Sequence, residues 1–361
     1  MFLKTYVKYI SKEFTEIILK VSFIFYSLIF ILTIFEELNF FKEVQINFIY
    51  PIFLTFLNSP TILYDIFPFI FLISTQLFFI RILERNELII YKNFGLNNFK
   101  ILKILTLLSL ILSLLIVFIF YNFSAKLKFL YLDLKNDYAV DNKYLAVITE
   151  NGLWIKDEVE NSILIVNASI IDGNFLRDVS IIELSKNFDL IRNIEAEKVD
   201  IKDTKWIIFN SMQHINKDNI TTSENKLYLD THFNLEKINS LFSNLYSLTM
   251  WELESLKNDY ESLGYSTLEI DSHRHKIIAY PLYLMIMTVI SGIIMLNIKA
   301  NKSKMFNLIL GISLSVIIFY IKYFFNLLGE NGKIPIIISI WFPLIILSIL
   351  SSVGLIRINE K

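Results

Sequence analysis

Apolar residues along this chain gather into long stretches with almost no charge: Ile18–Phe35, Ile62–Ile80, Ile104–Phe123, Ile277–Ile298, Met305–Leu328 and Ile334–Ile356. A helix of roughly 20 such residues crosses a hydrocarbon layer of about 30 Å, so each stretch predicts one membrane span. The spans form two groups of three. Between the groups lies a polar segment, from about Ser124 to His273. Within the first group the segment RILERNELIIYKNFG, Arg81 to Gly95, breaks the apolar pattern with a mixed, amphipathic stretch. Phe48–Leu57 is apolar but too short to span, and Pro51, Pro60 and Pro68 punctuate its neighbourhood. It is expected to form a re-entrant or interfacial helix leading into the second span.

Composition agrees with this pattern. The chain is 54% hydrophobic and 32 of its 361 residues are Phe, more than a soluble core of this size requires. The first apolar stretch is too long, and too poor in a small-residue cleavage site, to be a simple signal peptide. Cysteine is absent, which excludes disulfides, a thiol nucleophile and Cys-ligated metal.

Charge is unevenly divided. Residues 125–271 carry 15 basic and 25 acidic side chains, whereas the remainder carries 19 and 10. An acidic domain on a basic membrane part argues against a nucleic-acid partner for that domain. In a six-span topology one side collects Lys4, Lys8 and Lys12, then Arg81, Arg85, Lys92, Lys100 and Lys103, then Lys299, Lys302 and Lys304, and finally Arg357 and Lys361. The opposite short loops hold little more than Lys42 and Lys333. The positive side is cytoplasmic. Both termini are therefore expected inside, and the central domain outside.

That central domain reads mostly as strands: Tyr144–Ile148, Leu153–Ile155, Ser162–Val166, Val179–Leu184, Lys198–Ile201 and Lys205–Phe209. Asn151-Gly152 and Asp172-Gly173-Asn174 supply turns between them. Strands at this spacing suggest a sandwich or jelly roll. Thr249 and Glu252 form a capping box for a helix ahead of the fourth span, with Gly264 as its stop. The expected fold is a polytopic α-helical membrane protein with six transmembrane helices, three plus three, and an inserted periplasmic all-β, jelly-roll-like domain. Residues 1–124 make the first bundle, 125–271 the β domain and 272–361 the second bundle.

Candidate chemistry is sparse. The nine glycines form neither GxxxxGK[ST] nor GxGxxG, and HExxH and GxSxG are missing. The chain carries no ATPase site, no cofactor is expected, and nothing supports an enzyme. His273 and His275 flank Arg274 at a spacing that favours interfacial basic anchoring over metal binding. Lys322 lies towards the outer end of the fifth span, where it either contacts an anionic substrate group or snorkels to the interface. Glu36 and Glu37 read as a solvated helix end. On a helix over residues 84–95, Glu84, Leu88, Tyr91 and Gly95 share one face, and Glu87, Tyr91 and Phe94 an adjacent one. Asn93-Phe94-Gly95 is a stop signal. Such a segment either docks into a groove of a soluble partner, its carboxylates pairing with arginines, or anchors to lipid headgroups.

In chain order, NSPTILYDIFPFIFL, RNELIIYKNFGLN, NGLWIKD, HKIIAYPLYLMIMTVI, GISLSVIIFY and GKIPIIISIWFPL resemble segments of the LptF/LptG family of lipopolysaccharide-export permeases. NGLWIKD and GKIPI look more like the LptG member. The resemblance implies a non-catalytic subunit in the inner membrane, paired with a homologous LptF-like permease above a cytoplasmic ABC ATPase dimer. Its outer jellyroll would pass lipopolysaccharide to LptC-like and LptA-like bridge proteins, and spans one and five would form the lipid gate. Residues 84–95 would be the coupling helix, with Glu87, at the family's carboxylate position, contacting the ATPase and Glu84 as a further candidate for that contact. The chain departs from the family where the LptG member carries lysines near the outer end of span one. TIFEELNFFKE stands there, leaving Lys42 and Lys322 for any phosphate contact, or implying a different head group. The alternative function class is a mechanotransmitting ABC subunit, or a membrane receptor with an outer sensor domain and no transported substrate.

Overall fold

Inside a lipid layer the backbone has no water to bond, so an apolar run closes its hydrogen bonds within itself as a helix. The computed structural model describes residues 5–42, 46–136, 138, 153–159, 162–215, 220–235, 237–238, 244–262, 265–297 and 304–359. Six helices in it are long and apolar enough to cross a membrane: α1 Thr5–Phe40, α2 Ile49–Glu84, α4 Asn98–Asn136, α6 Leu268–Leu296, α7 Lys304–Glu330 and α8 Ile336–Asn359. Each corresponds to one expected span, with ends shifted by two residues at Leu296 and Ile336. A short α3, Glu87–Asn93, joins α2 to α4, and α5, Met250–Ser262, precedes α6. The expected strand Tyr144–Ile148, the Asn151-Gly152 turn, the Gly264 stop and the basic residues Lys4, Lys299, Lys302 and Lys361 lie outside the described residues.

The chain divides into two compact units, Met1–Lys128 with Leu268–Lys361, and Phe129–Thr267. In the helical unit α2 and α6 are the most enclosed helices. Leu72 of α2, Tyr283 and Met287 of α6, Ile318 of α7 and Leu344 of α8 meet in one buried cluster. α1 lies along α2 and touches α4, while α7 packs on α2, α6 and α8. Both leave large apolar side chains uncovered, among them Phe23, Ile24 and Leu32 on α1 and Ile317, Tyr320 and Phe324 on α7.

Phe48–Leu57 does not form a separate re-entrant or interfacial helix; α2 is continuous from Ile49. Pro51 falls in the first turn, where its missing N–H has no intrahelical duty. Pro68 lies deeper and deprives the Tyr64 carbonyl of its usual donor. The Tyr280 hydroxyl of α6 donates to that carbonyl instead, with the two tyrosine rings stacked at 4.4 Å. Thr55 and Ser59 add back-bonds to the Pro51 and Thr55 carbonyls at 2.8 and 2.6 Å. At Pro68, therefore, a neighbouring helix supplies the hydrogen bond that the proline removes.

α4 contains one widened, π-helical turn, Ile116–Tyr121. Its Tyr121 is buried, with the hydroxyl 3.0 Å from His273 Nε2 of α6. His273 is thus an interior residue and not an interfacial anchor: it falls on the face that α6 turns towards α4. His275 is 3.4 Å from the Trp341 indole N–H, which donates to its Nδ1.

The second unit holds a six-stranded antiparallel sheet in consecutive order: β1 Leu153–Val159, β2 Ser162–Asp172, β3 Phe175–Ser185, β4 Leu190–Asp200, β5 Lys205–Ile215 and β6 Ile220–Asp230. Pairs such as Val166 with Ile181, and Ile181 with Ile194, set the register and share the buried face. Gly173, at φ 56°, makes the tight turn between β2 and β3. With connections this short the expected all-β insertion takes the form of a meander, since a Greek-key crossing needs a longer return. After β6 the chain turns back across the sheet. The Trp206 indole donates to the Phe233 carbonyl at 2.8 Å, and Leu235 N donates to Ile201 O at 2.8 Å. His232 then gives its backbone N–H and its Nδ1 side to Asp157 of β1, at 2.8 and 2.9 Å. Asp157, with its side chain only 2% exposed, so ties the first strand to the segment that follows the last. Glu252 accepts from Thr249 N at 2.7 Å and from its hydroxyl at 2.9 Å, which is the capping box of α5.

Two outcomes follow from these bonds. Replacing Tyr280 by Phe leaves the Tyr64 carbonyl unpaired in an apolar core and costs about 1–3 kcal/mol, measurable as a lowered melting temperature in detergent. Asp157→Ala removes a charged acceptor worth about 1.5–3 kcal/mol, so amide exchange at His232 should quicken by roughly one to two orders of magnitude.

Candidate functional site

The segment between α2 and α4 is built from two backbone bends and a short helix. Asn86 adopts φ 56°, a left-handed conformation that Asn tolerates better than most residues. It ends α2 at Glu84 and restarts the chain as α3. At the far end Gly95 takes φ 77°, and Leu96 N donates to Tyr91 O at 2.9 Å, closing the helix. Asn97 caps α4 by accepting from Lys100 N at 3.0 Å. The expected single helix over residues 84–95 is therefore Glu87–Asn93, with Glu84 left on α2. The face proposed for Glu84, Leu88, Tyr91 and Gly95 does not form, because the bend at Asn86 rotates Glu84 away from the other three.

What α3 presents is set by this rotation. Leu88 and Tyr91 are half-buried, while Ile89, Ile90 and Phe94 point outward, Phe94 at 82% exposure. Glu87 is turned inward: its carboxylate accepts from the Tyr9 and Tyr91 hydroxyls at 3.2 Å each and lies 3.6 Å from Arg85. Burial, then the charge of Glu87 and its hydrogen bond, hold the Tyr91 hydroxyl above the usual phenol range, so it remains a donor. Glu84 is open to solvent and meets Lys304 of α7 at 3.4 Å. Glu13 of α1 pairs with Arg81 at 2.7 Å and Arg85 at 3.5 Å. The first turns of α1 and α7 and the end of α2 thus gather their charges at one end of the helical unit.

A different set lies towards the opposite end. Lys276 pairs with Glu330 at 2.5 Å, and Ser272 donates to the same carboxylate at 3.0 Å. Lys128 donates to Asn58 at 2.7 Å. Lys322 of α7 stands 3.2 Å above the Tyr283 ring of α6, a cation–π contact. Asp65 of α2 is exposed on the helical unit. Sequence reading passed over Asp65, although a lone carboxylate inside an apolar run was a visible signal. Lys42 lies just past α1, exposed and on a different element from Lys322. Glu36 is exposed but Glu37 is buried, so the pair is not simply a solvated helix end. Among the described residues no group of three or more His, Asp or Glu is arranged to hold a metal ion.

A profile of the family described as lipopolysaccharide export system permease LptF/LptG matches residues 8–357, nearly the whole chain. The chain belongs to the LptF/LptG family. No curated protein matches it. The family match takes in both helical groups and the β insertion between them, which fits a multi-pass membrane permease. In this LptF/LptG protein, Ile89 and Ile90 are exposed while Leu88 and Tyr91 are half-buried, and the faces read from the sequence did not include the two isoleucines.

The turn at Asn86 can be tested directly. Asn86→Gly should leave α3 unchanged, whereas Asn86→Val forces a β-branched residue into a left-handed conformation at a cost of about 1–2 kcal/mol. Hydrogen exchange across residues 87–93 should then rise in the Val variant alone.

Proposed function

We propose that this LptF/LptG protein is the permease subunit of an ATP-driven exporter, extracting lipopolysaccharide from the inner membrane and passing it to a periplasmic bridge. The observation that carries the reading is α3, a short helix with Ile89, Ile90 and Phe94 uncovered beside the solvent-facing Glu84. An apolar knob rimmed by charge fits a cleft on a soluble protein. The chain has no phosphate-binding loop, so energy arrives from a partner, a cytoplasmic ABC ATPase dimer docked at α3.

The basic residues at the α3 end support a cytoplasmic position for that end and a periplasmic one for the β unit. The uncovered apolar faces of α1 and α7 suit pairing with a homologous permease around a lipid-sized cavity and form its gate. Lys322 and Lys42 are the contacts for an anionic head group. The meander would continue into LptC-like and LptA-like β proteins. The NGLWIKD and GKIPI segments favour the LptG role over the LptF role.

Phe94→Glu tests the docking surface. Purified in mild detergent with its partners, the variant should lose co-elution of the ATPase, because a charge has replaced the largest apolar contact. Insertion and β-unit folding should be unaltered. Undiminished co-elution of the ATPase with the Phe94→Glu chain would sink the docking assignment.

A further inference from the structure

α3 has only seven residues, too few to hold a helix by themselves, and both of its covalent connections are bends. Its orientation therefore depends on what its inner face touches. That face meets α1. Glu87 accepts from the Tyr9 hydroxyl, and Glu13 of α1 takes Arg81 at 2.7 Å and Arg85 at 3.5 Å. Tyr9 and Glu13 are four residues apart, one above the other on one face of α1. Arg85 closes the ring, since it lies 3.5 Å from Glu13 and 3.6 Å from Glu87. An isolated exposed ion pair contributes little, but here several charges share partners and the carboxylates are shielded, Glu13 at 17% and Glu87 at 18% exposure.

We propose that Tyr9 and Glu13 are positioning residues that fasten α3 to the first span through Glu87, Arg85 and Arg81, so that a displacement imposed on α3 reaches α1 directly. This rests on the reading of α3 as the coupling helix. Glu87 then works inside its own chain, and the partner is gripped by Ile89, Ile90 and Phe94. α1 is suited to receive such a push, because it packs along α2 and touches α4 while its other face stays uncovered.

The absence of native cysteine allows two nitroxide labels, at Lys12→Cys on α1 and Lys92→Cys on α3, in the full chain reconstituted in lipid nanodiscs without partners. Pulsed EPR should give a narrow distance distribution, and adding Tyr9→Phe with Glu13→Gln should broaden it. An unchanged distribution overturns the proposal whatever α3 binds.

In the full complex, Tyr9→Phe removes one hydroxyl and should leave ATPase co-elution intact. Lipopolysaccharide release should nonetheless fall roughly tenfold or more, the scale of a lost hydrogen bond to a charged group. Because Tyr9 acts through Glu87, adding Tyr9→Phe to Glu87→Ala should cause no further loss. A full additional loss in that background, or loss of ATPase co-elution by Tyr9→Phe alone, would overturn it. Failure of the Phe94→Glu test would remove the coupling reading but leave the EPR outcome standing, so the two ideas fail separately.

Discussion

The structure depends on a single constraint: within the apolar layer every backbone carbonyl and amide must find a partner in the protein. α2 is where the constraint presses hardest, because Pro60 and Pro68 both lie inside it. The Tyr280 hydroxyl answers the gap left by Pro68 and thereby ties α2 to α6. Other polar links do the same work at other levels. Ser291 of α6 donates to Leu72 O at 2.7 Å, and Ser109 of α4 meets Thr288 of α6 at 2.9 Å. The Gln76 amide donates to Asn307 O of α7 at 3.0 Å, in a space kept open by Gly311. A side chain larger than hydrogen at Gly311 would collide with that amide. Apolar packing alone specifies little between helices in lipid, so these bonds and small residues fix which faces meet.

From this frame follows a division of labour among the helices. α2 and α6 are enclosed and cross-linked by side-chain hydrogen bonds. α1 and α7 are held along one face each, and their other faces are oily and uncovered. The charged ends add the second layer of control. Glu13, Arg81, Arg85 and Glu87 bind α1, α2 and α3 together at one end, while Glu84 reaches Lys304 of α7. Both of these partly uncovered helices are thus tied, by charge, to the segment that surrounds α3.

The six spans were legible because length and the lack of charge decide membrane insertion almost without regard to context. The capping box at Thr249 and Glu252 and the Gly173 turn were legible for a similar reason, since each is a local bond or a local torsion. What could not be read depended on distant partners. Pro51, Pro60 and Pro68 argued for a broken helix, and at Pro68 the missing bond comes from Tyr280, more than two hundred positions along the chain. His273 looked like an anchor until Tyr121 from a widened turn of α4 gave it an interior partner. β6, ITTSENKLYLD, is too polar to announce itself, because it stands at one end of the strand order with most of its side chains exposed. The helix 84–95 was drawn too long because periodicity says nothing about one Asn in a left-handed turn.

That last residue has consequences beyond its own torsion. Had the helix begun at Glu84, its two carboxylates would stand within one turn of each other and could face a partner together. The bend at Asn86 separates them. Glu84 stays in solvent beside Lys304, and Glu87 turns towards Tyr9, Tyr91 and Arg85. One acidic residue is therefore available on the surface, and the other is spent on holding the segment in place. A docking helix needs both properties, an accessible face and a fixed orientation, and seven residues cannot supply the second from backbone bonds alone. The inward carboxylate supplies it from side chains. On the proposed reading of α3 as a docking helix, Glu87 fastens the surface that a partner would grip.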